Sequence, residues 1–205
     1  ATGIIQHLSP DGRRVIARDK AIGIEVFVGS DENDILFGGR PEPGERLHID
    51  GGGGDDKLYS RGATLTIGGA GDDTLFADEG GSSFEGGSGT DTLDTRMMNA
   101  RWSIRLSGAI GSRIEAFEVD DIDALGSENS SNPQRDTRIL SGNLDSTEVI
   151  IFGRHNDEVY LEGNERVTVY GGAGNDRLVR YTSNDGSSSG RLFGESGDDY
   201  LALRL

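Results

Sequence analysis

The chain has no cysteine. That excludes disulfides, thiolate metal sites and cysteine nucleophiles, so something else must staple the fold. Aromatic residues make up 6 % of the 205 residues, with a single tryptophan, and hydrophobic residues only 33 %. A thick globular core cannot be filled from that supply. Proline occurs four times, too rarely for a proline-rich linker. No run is long and apolar enough to span a membrane, and no charged-then-apolar leader is visible at the N-terminus. Basic residues are outnumbered, 20 against 36 acids, giving a net charge of -16. A phosphate backbone would be repelled by that charge, so nucleic acid is excluded as a partner.

What the chain does have is glycine, at 33 residues, roughly twice the usual share of about 7 %. Low hydrophobicity with high net charge normally spells disorder, unless bound cations neutralise the charge. The glycines are not scattered. GGGGDDKLY (51–59), GGAGDDTLF (68–76), GGSGTDTLD (86–94) and GGAGNDRLV (171–179) align on an aspartate followed two residues later by an apolar residue. GESGDDYLA (194–202) lacks the second glycine, GSDENDILF (29–37) keeps only the first, and FGRHNDEVY (152–160) keeps only the second. Isolated glycine–aspartate turns can be plain hairpin turns. A fixed six-residue turn ending in aspartate, repeated in phase, is not what hairpins require.

These segments resemble the GGxGxDxUx nonapeptide (U being a large apolar residue) of the RTX, or haemolysin-type, calcium-binding family, a repeat that builds parallel β-helices. The resemblance covers 29–94 and 152–202. The chemistry is coherent. Calcium takes six to eight oxygens at about 2.3–2.6 Å. A glycine-rich turn lets backbone carbonyls curl around an ion, and the aspartate adds a charged oxygen. The expected ligands are the first, third and sixth positions of each turn: Gly51, Gly53 and Asp56; Gly68, Ala70 and Asp73; Gly86, Ser88 and Asp91; Gly171, Ala173 and Asp176; Gly194, Ser196 and Asp199. Asp34 and Asp157 are the candidates from the two weakest copies. The second acid of the turn, as in Asp55, Asp72 and Asp198, reads as water-facing.

Spacing sharpens the architecture. Neighbouring motif aspartates within each run are mostly 17–19 residues apart, nearly two nonapeptides, and the intervening half-turns lack the motif. The expectation is an all-β, right-handed parallel β-solenoid with calcium turns mainly along one edge. Leu58, Leu75, Leu93 and Leu178 should point inward, and ATLTI (63–67) and RVTVY (166–170) should be strands. Residues 1–28 read as an N-terminal cap, 29–94 as a first calcium ladder, 95–151 as metal-poor coils, and 152–205 as a second ladder cut short at its C-terminal end. Within the middle segment WSIRLSG, IEAFEV, TRILSG and TEVIIFG read as strands and 126–136 as a loop. Stretches 38–48 and 182–190 read as surface excursions, and the acidic run 118–123 as a solvated loop. Shared between adjacent turns, roughly four to six Ca2+ ions would be held.

Enzyme signals are weak. GSSSG (186–190) matches a nucleophile elbow only formally, because the elbow needs a strand-to-helix turn. His7, His48 and His155 form no zinc pair. The expectation is a calcium-binding module without catalysis of its own. The resemblance implies a secreted or cell-surface bacterial protein exported by a type I system and folding in extracellular calcium. The alternatives are an accessory or catalytic solenoid of a polysaccharide-active or hydrolytic enzyme, and a calcium-dependent adhesin. Extracellular glycan and other domains of a larger protein are the partners these readings imply.

Overall fold

A computed structural model describes residues 2–8, 15–22, 26–39, 46–61, 65–77, 83–107, 113–118, 138–162, 166–181 and 190–204. Every regular element among them is a β-strand. In chain order these begin with β1 (Thr2–Leu8), β2 (Val15–Ile22), β3 (Val26–Val28) and β4 (Asp34–Phe37). Then come β5 (His48–Gly53), β6 (Lys57–Tyr59), β7 (Leu65–Ala70), β8 (Thr74–Phe76), β9 (Phe84–Ser88) and β10 (Thr92–Asp94). A middle group holds β11 (Ala100–Ser107), β12 (Arg113–Glu118) and β13 (Arg138–Asp145). The chain closes with β14 (Val149–Ile151), β15 (Glu158–Glu162), β16 (Thr168–Tyr170), β17 (Arg177–Tyr181), β18 (Arg191–Phe193) and β19 (Tyr200–Arg204).

The strands form two sheets. One has nine strands in the order β18-β16-β14-β10-β8-β6-β4-β1-β2, and the other ten in the order β19-β17-β15-β11-β12-β13-β9-β7-β5-β3. From β3 to β10, and again from β14 to β19, successive strands alternate between the sheets and pair in parallel with the strand two places away. That is the signature of a β-solenoid.

The apolar residue of each motif explains the register. Leu36, Leu58, Leu75, Leu93, Ile150 and Val169 lie directly above one another through β4, β6, β8, β10, β14 and β16, and each is fully buried. Leu178 fills the equivalent place in the other sheet, between Val159 and Leu201. Three-residue strands leave little freedom. A slip of one residue would turn the leucine outward and lose about 1.5–3 kcal/mol per rung.

The ends and the middle depart from this pattern. β1 pairs antiparallel with β4 on one side and with β2 on the other, covering the outer edge of β4. The middle segment contains strands where apolar alternation suggested them, and β11 stacks in parallel on β15, but β12 does not continue the coils. β12 runs antiparallel to both β11 and β13, so the chain doubles back within the ten-stranded sheet. Period-2 alternation marks a strand but says nothing of its partner's direction, and this is why the sequence misled. β13 then resumes parallel pairing with β9, and β14 with β10. Residues 40–45, 119–137 and 182–189, which include most of the expected excursions, the loop and the acidic run, lie outside the described residues.

The topology also places the ladders. The turns at 51–56, 68–73 and 86–91 carry the chain from the ten-stranded sheet to the nine-stranded one. Those at 152–157, 171–176 and 194–199 carry it back. Each ladder holds to one edge, but the two occupy opposite edges of the solenoid, because after the excursion of β12 the motif returns on the other half-turn; the motif turns therefore do not lie mainly along one edge as the spacing suggested.

Candidate metal centre

Each complete turn is shaped by two glycines at positive φ, the second and fourth of the motif: Gly52 and Gly54 at 96° and 95°, Gly69 and Gly71 at 114° and 133°. Gly87 and Gly89, and Gly172 and Gly174, repeat the pair. The first glycine has a different duty. A methyl group on Gly51 would overlap Asp56 Oδ2 and the Gly68 carbonyl oxygen, and one on Gly68 would overlap Asp73 Oδ2 and the Gly86 carbonyl oxygen. Gly171 stands in the same relation to Asp176 Oδ2 and the Gly194 carbonyl. In every case a carboxylate oxygen of one rung and a carbonyl oxygen of the next crowd the same small space.

The aspartates form an inner ladder. Asp56 Oδ1 accepts the Asp34 amide at 2.7 Å, Asp73 Oδ1 the Asp56 amide at 2.8 Å, and Asp91 Oδ1 the Asp73 amide at 2.9 Å. On the opposite edge Asp176 Oδ1 accepts the Asp157 amide at 2.8 Å and Asp199 Oδ1 the Asp176 amide at 3.0 Å. That uses one oxygen of each carboxylate. The second, Oδ2, is buried without a hydrogen bond at Asp56, Asp73, Asp91 and Asp176. Burying an anion's lone pairs with no donor is costly. Desolvation accordingly pushes the carboxyls of Asp56 and Asp176 up to about 7 and that of Asp91 to about 6, and raises Asp73. The amide each accepts works against the shift, and neighbouring carboxylates add to it.

Such a donor set fits a hard cation that takes oxygen ligands. Among the described residues no group of three or more acidic or histidine side chains could hold a metal by itself. Backbone carbonyls must therefore complete any coordination shell, which is what the glycine turns make possible. First-position carbonyls face this space. Of the third-position residues, Ser88 and Ser196 use their carbonyls to accept the amides of Gly71 and Gly174 in the preceding rungs, at 2.8 and 2.9 Å. Gly53, Ala70 and Ser88 pair across β5, β7 and β9, and Ala173 bridges to Ser196.

The weaker copies differ. Asp34 is buried, but its Oδ2 already accepts the Ser30 amide at 2.7 Å and the Ser30 hydroxyl at 2.8 Å. Asp157 is buried in the foot of the second ladder, where Phe152 replaces the first glycine and lies in the core. Asp199 is half-buried at the last rung.

Two features escaped the sequence reading. Fifth-position side chains form an outer ladder: Asn33 Oδ1 accepts the Asp55 amide, Asp55 Oδ1 the Asp72 amide and Asp72 Oδ1 the Thr90 amide, at 2.8–2.9 Å. Asn156 and Asn175 do the same for the amides of Asn175 and Asp198. These residues are solvent-facing, as expected for Asp55 and Asp72, but each also caps the rung after it, whereas the inner aspartate caps the rung before it. The second feature is Glu148, whose Oε2 accepts the Asp91 amide at 2.9 Å. Its signal was present, an acid two residues before the buried Ile150, but no glycines precede it.

Comparison with known families agrees with this geometry. The RTX calcium-binding nonapeptide repeat matches in four copies, over residues 22–40, 48–62, 67–96 and 163–185. The chain carries RTX calcium-binding repeats. Such repeats imply a calcium-binding repeat module, and the matched segments contain the rungs at 29–34, 51–56, 68–73, 86–91 and 171–176. The RTX match does not reach 152–157 or 194–199, the first and last rungs of the second ladder. No curated protein matches the chain.

Proposed function

We propose that this chain is a secreted bacterial RTX module that folds on meeting extracellular calcium and has no catalysis of its own. The observation that carries this reading is the set of buried Oδ2 oxygens at Asp56, Asp73, Asp91 and Asp176, which take no hydrogen bond. Without a cation these carboxylates oppose folding at neutral pH, on a chain already at -16. Calcium binding then becomes folding free energy. Inside a cell, where calcium is scarce, the chain stays loose enough for export; outside, at millimolar calcium, it closes. Type I secretion suits such a switch. The ligands are the first-position carbonyls and sixth-position aspartates, with roughly four to six ions shared between rungs. Far-ultraviolet circular dichroism tests the reading. Strand signal should appear with calcium and vanish with excess chelator, and magnesium should not substitute. Strand content unchanged by chelator at neutral pH would overturn it.

A second reading, a calcium-dependent adhesin for acidic glycan, draws support from one face. The Arg105 guanidinium lies 5.4 Å from the Tyr160 ring centre and that of Arg177 4.5 Å from the Tyr200 ring centre, on the second half of the ten-stranded sheet. By contrast Phe37, Tyr59 and Phe76 stack face to face at 4.4 Å, which hides their ring faces from a sugar. Calcium-dependent retention on a uronate polymer, lost in Arg177→Ala, would favour the adhesin.

A further inference from the structure

The first ladder does not stop at its last glycine motif. Above Asp91 the next rung comes from a segment 57 residues on, beyond the antiparallel excursion of β12. Leu144 and Asp145 pair with Phe84 and Glu85, so Ser146 stands where the first-position glycine of a turn would be. Val149 and Ile150 pair with Thr92 and Leu93, so Glu148 stands where the aspartate would be. Only Thr147 separates the two, against four residues in a full motif. The turn is shortened by three residues and closes through Ser146 at a φ of 45°.

The substitutions compensate one another. A shorter turn sets the acid further back, and glutamate is one methylene longer than aspartate. Glu148 Oε2 reaches the Asp91 amide at 2.9 Å, the same bond that Asp91 makes to Asp73 at 2.9 Å. The carbonyl follows suit. A methyl group on Gly86 would overlap the Ser146 carbonyl oxygen and crowd Asp91 Oδ2, as one on Gly68 would overlap the Gly86 carbonyl and Asp73 Oδ2. Independently of this acidic pair, Asp91 is completely buried and its Oδ2 is aimed at the same space with no hydrogen bond.

We propose that Asp91 Oδ2, the Ser146 carbonyl and Glu148 form a further calcium site, built from a rung outside the nonapeptide repeat. The inference rests on the calcium reading above and extends it to residues that the repeat does not match. Its consequence is architectural. A divalent ion here ties the end of the first ladder to β13 and β14, and so anchors the strands that return from the excursion.

Calorimetric titration of the full chain with calcium, comparing the wild type with Glu148→Gln, tests this. Glutamine keeps an oxygen for the Asp91 amide but removes the charge. The variant should bind one ion fewer per chain, or bind that ion at least tenfold more weakly. Hydrogen exchange should show calcium-dependent protection of the Asp91 and Val149 amides reduced, with that of Asp56 and Asp176 kept. Unchanged stoichiometry and affinity in Glu148→Gln would overturn this site alone, whereas a wild type that binds no calcium would sink the function proposed above and this site with it. Gadolinium loading of the wild type keeps the test open should the variant not fold. Nuclear resonances of Ser146 and Glu148 should broaden as those of Gly86 do, and their persistence at saturation would count against the site.

Discussion

Asp73 sits at the centre of the first ladder, with one oxygen capping the Asp56 amide and the other buried without a donor. Its replacement by asparagine should therefore act with opposite signs in two solutions. With calcium present the variant loses a charged ligand, and the calcium needed for half-folding should rise about tenfold, or ~1.4 kcal/mol. In chelator the same change removes a buried anion and should stabilise whatever fold remains, which paired urea titrations would reveal. Glu195 offers a second residue-scale test. It replaces the glycine of the last turn and is held at a φ of 73°. Glu195→Gly should stabilise the calcium-bound chain by about 1 kcal/mol, read as a higher urea midpoint. The pH dependence follows from the raised carboxyls. Asp56 and Asp176 titrate near 7 in the metal-free fold, against 3.8 ordinarily, and Asp91 near 6. The metal-free fold therefore holds more protons than the unfolded chain. Its stability is greatest below about pH 4 and declines as pH rises through 6 to 7. Calcium must displace those protons, so binding at pH 6 should release protons into weakly buffered solution, and release should fade above pH 8.

Strands of three residues gain their stability from columns of side chains, not from length. In the ten-stranded sheet Thr66 interrupts one such column between Ile49 and Phe84. It is buried, and its hydroxyl has no hydrogen bond. Thr66→Val should stabilise the chain by about 1 kcal/mol without altering calcium stoichiometry, checked by thermal melts in calcium. At this scale much was legible in the sequence. The D-x-U phase located β6, β8, β10 and β17 and their inward leucines, because a turn of fixed length sets the register of the strand after it. Asp56, Asp73, Asp91 and Asp176 were legible as candidate ligands for the same reason. The antiparallel β12 was not legible, since alternation is common to both strand directions. Nor was Glu148, because its turn reaches the same place with three residues fewer and a longer acid. The outer ladder of Asn33, Asp55 and Asp72 depends on rung-to-rung contacts that no local pattern encodes.

Across the whole molecule, the two ladders lie on opposite edges of one solenoid, and the nine-stranded sheet runs unbroken from β4 to β18. Buried carboxylate columns beside two narrow apolar columns, one in each sheet, carry a charge that opposes folding at neutral pH unless a cation balances it. On the proposed reading, calcium stands in for the missing disulfides and the thin apolar core. Residue-resolved hydrogen exchange in calcium and in chelator at pH 7.5 tests this most directly. With calcium, the Asp56 and Asp73 amides on one edge and the Asp157 and Asp176 amides on the other should be protected together. In excess chelator all four should exchange as in an unfolded chain. Equal protection of those amides in chelator would contradict the account.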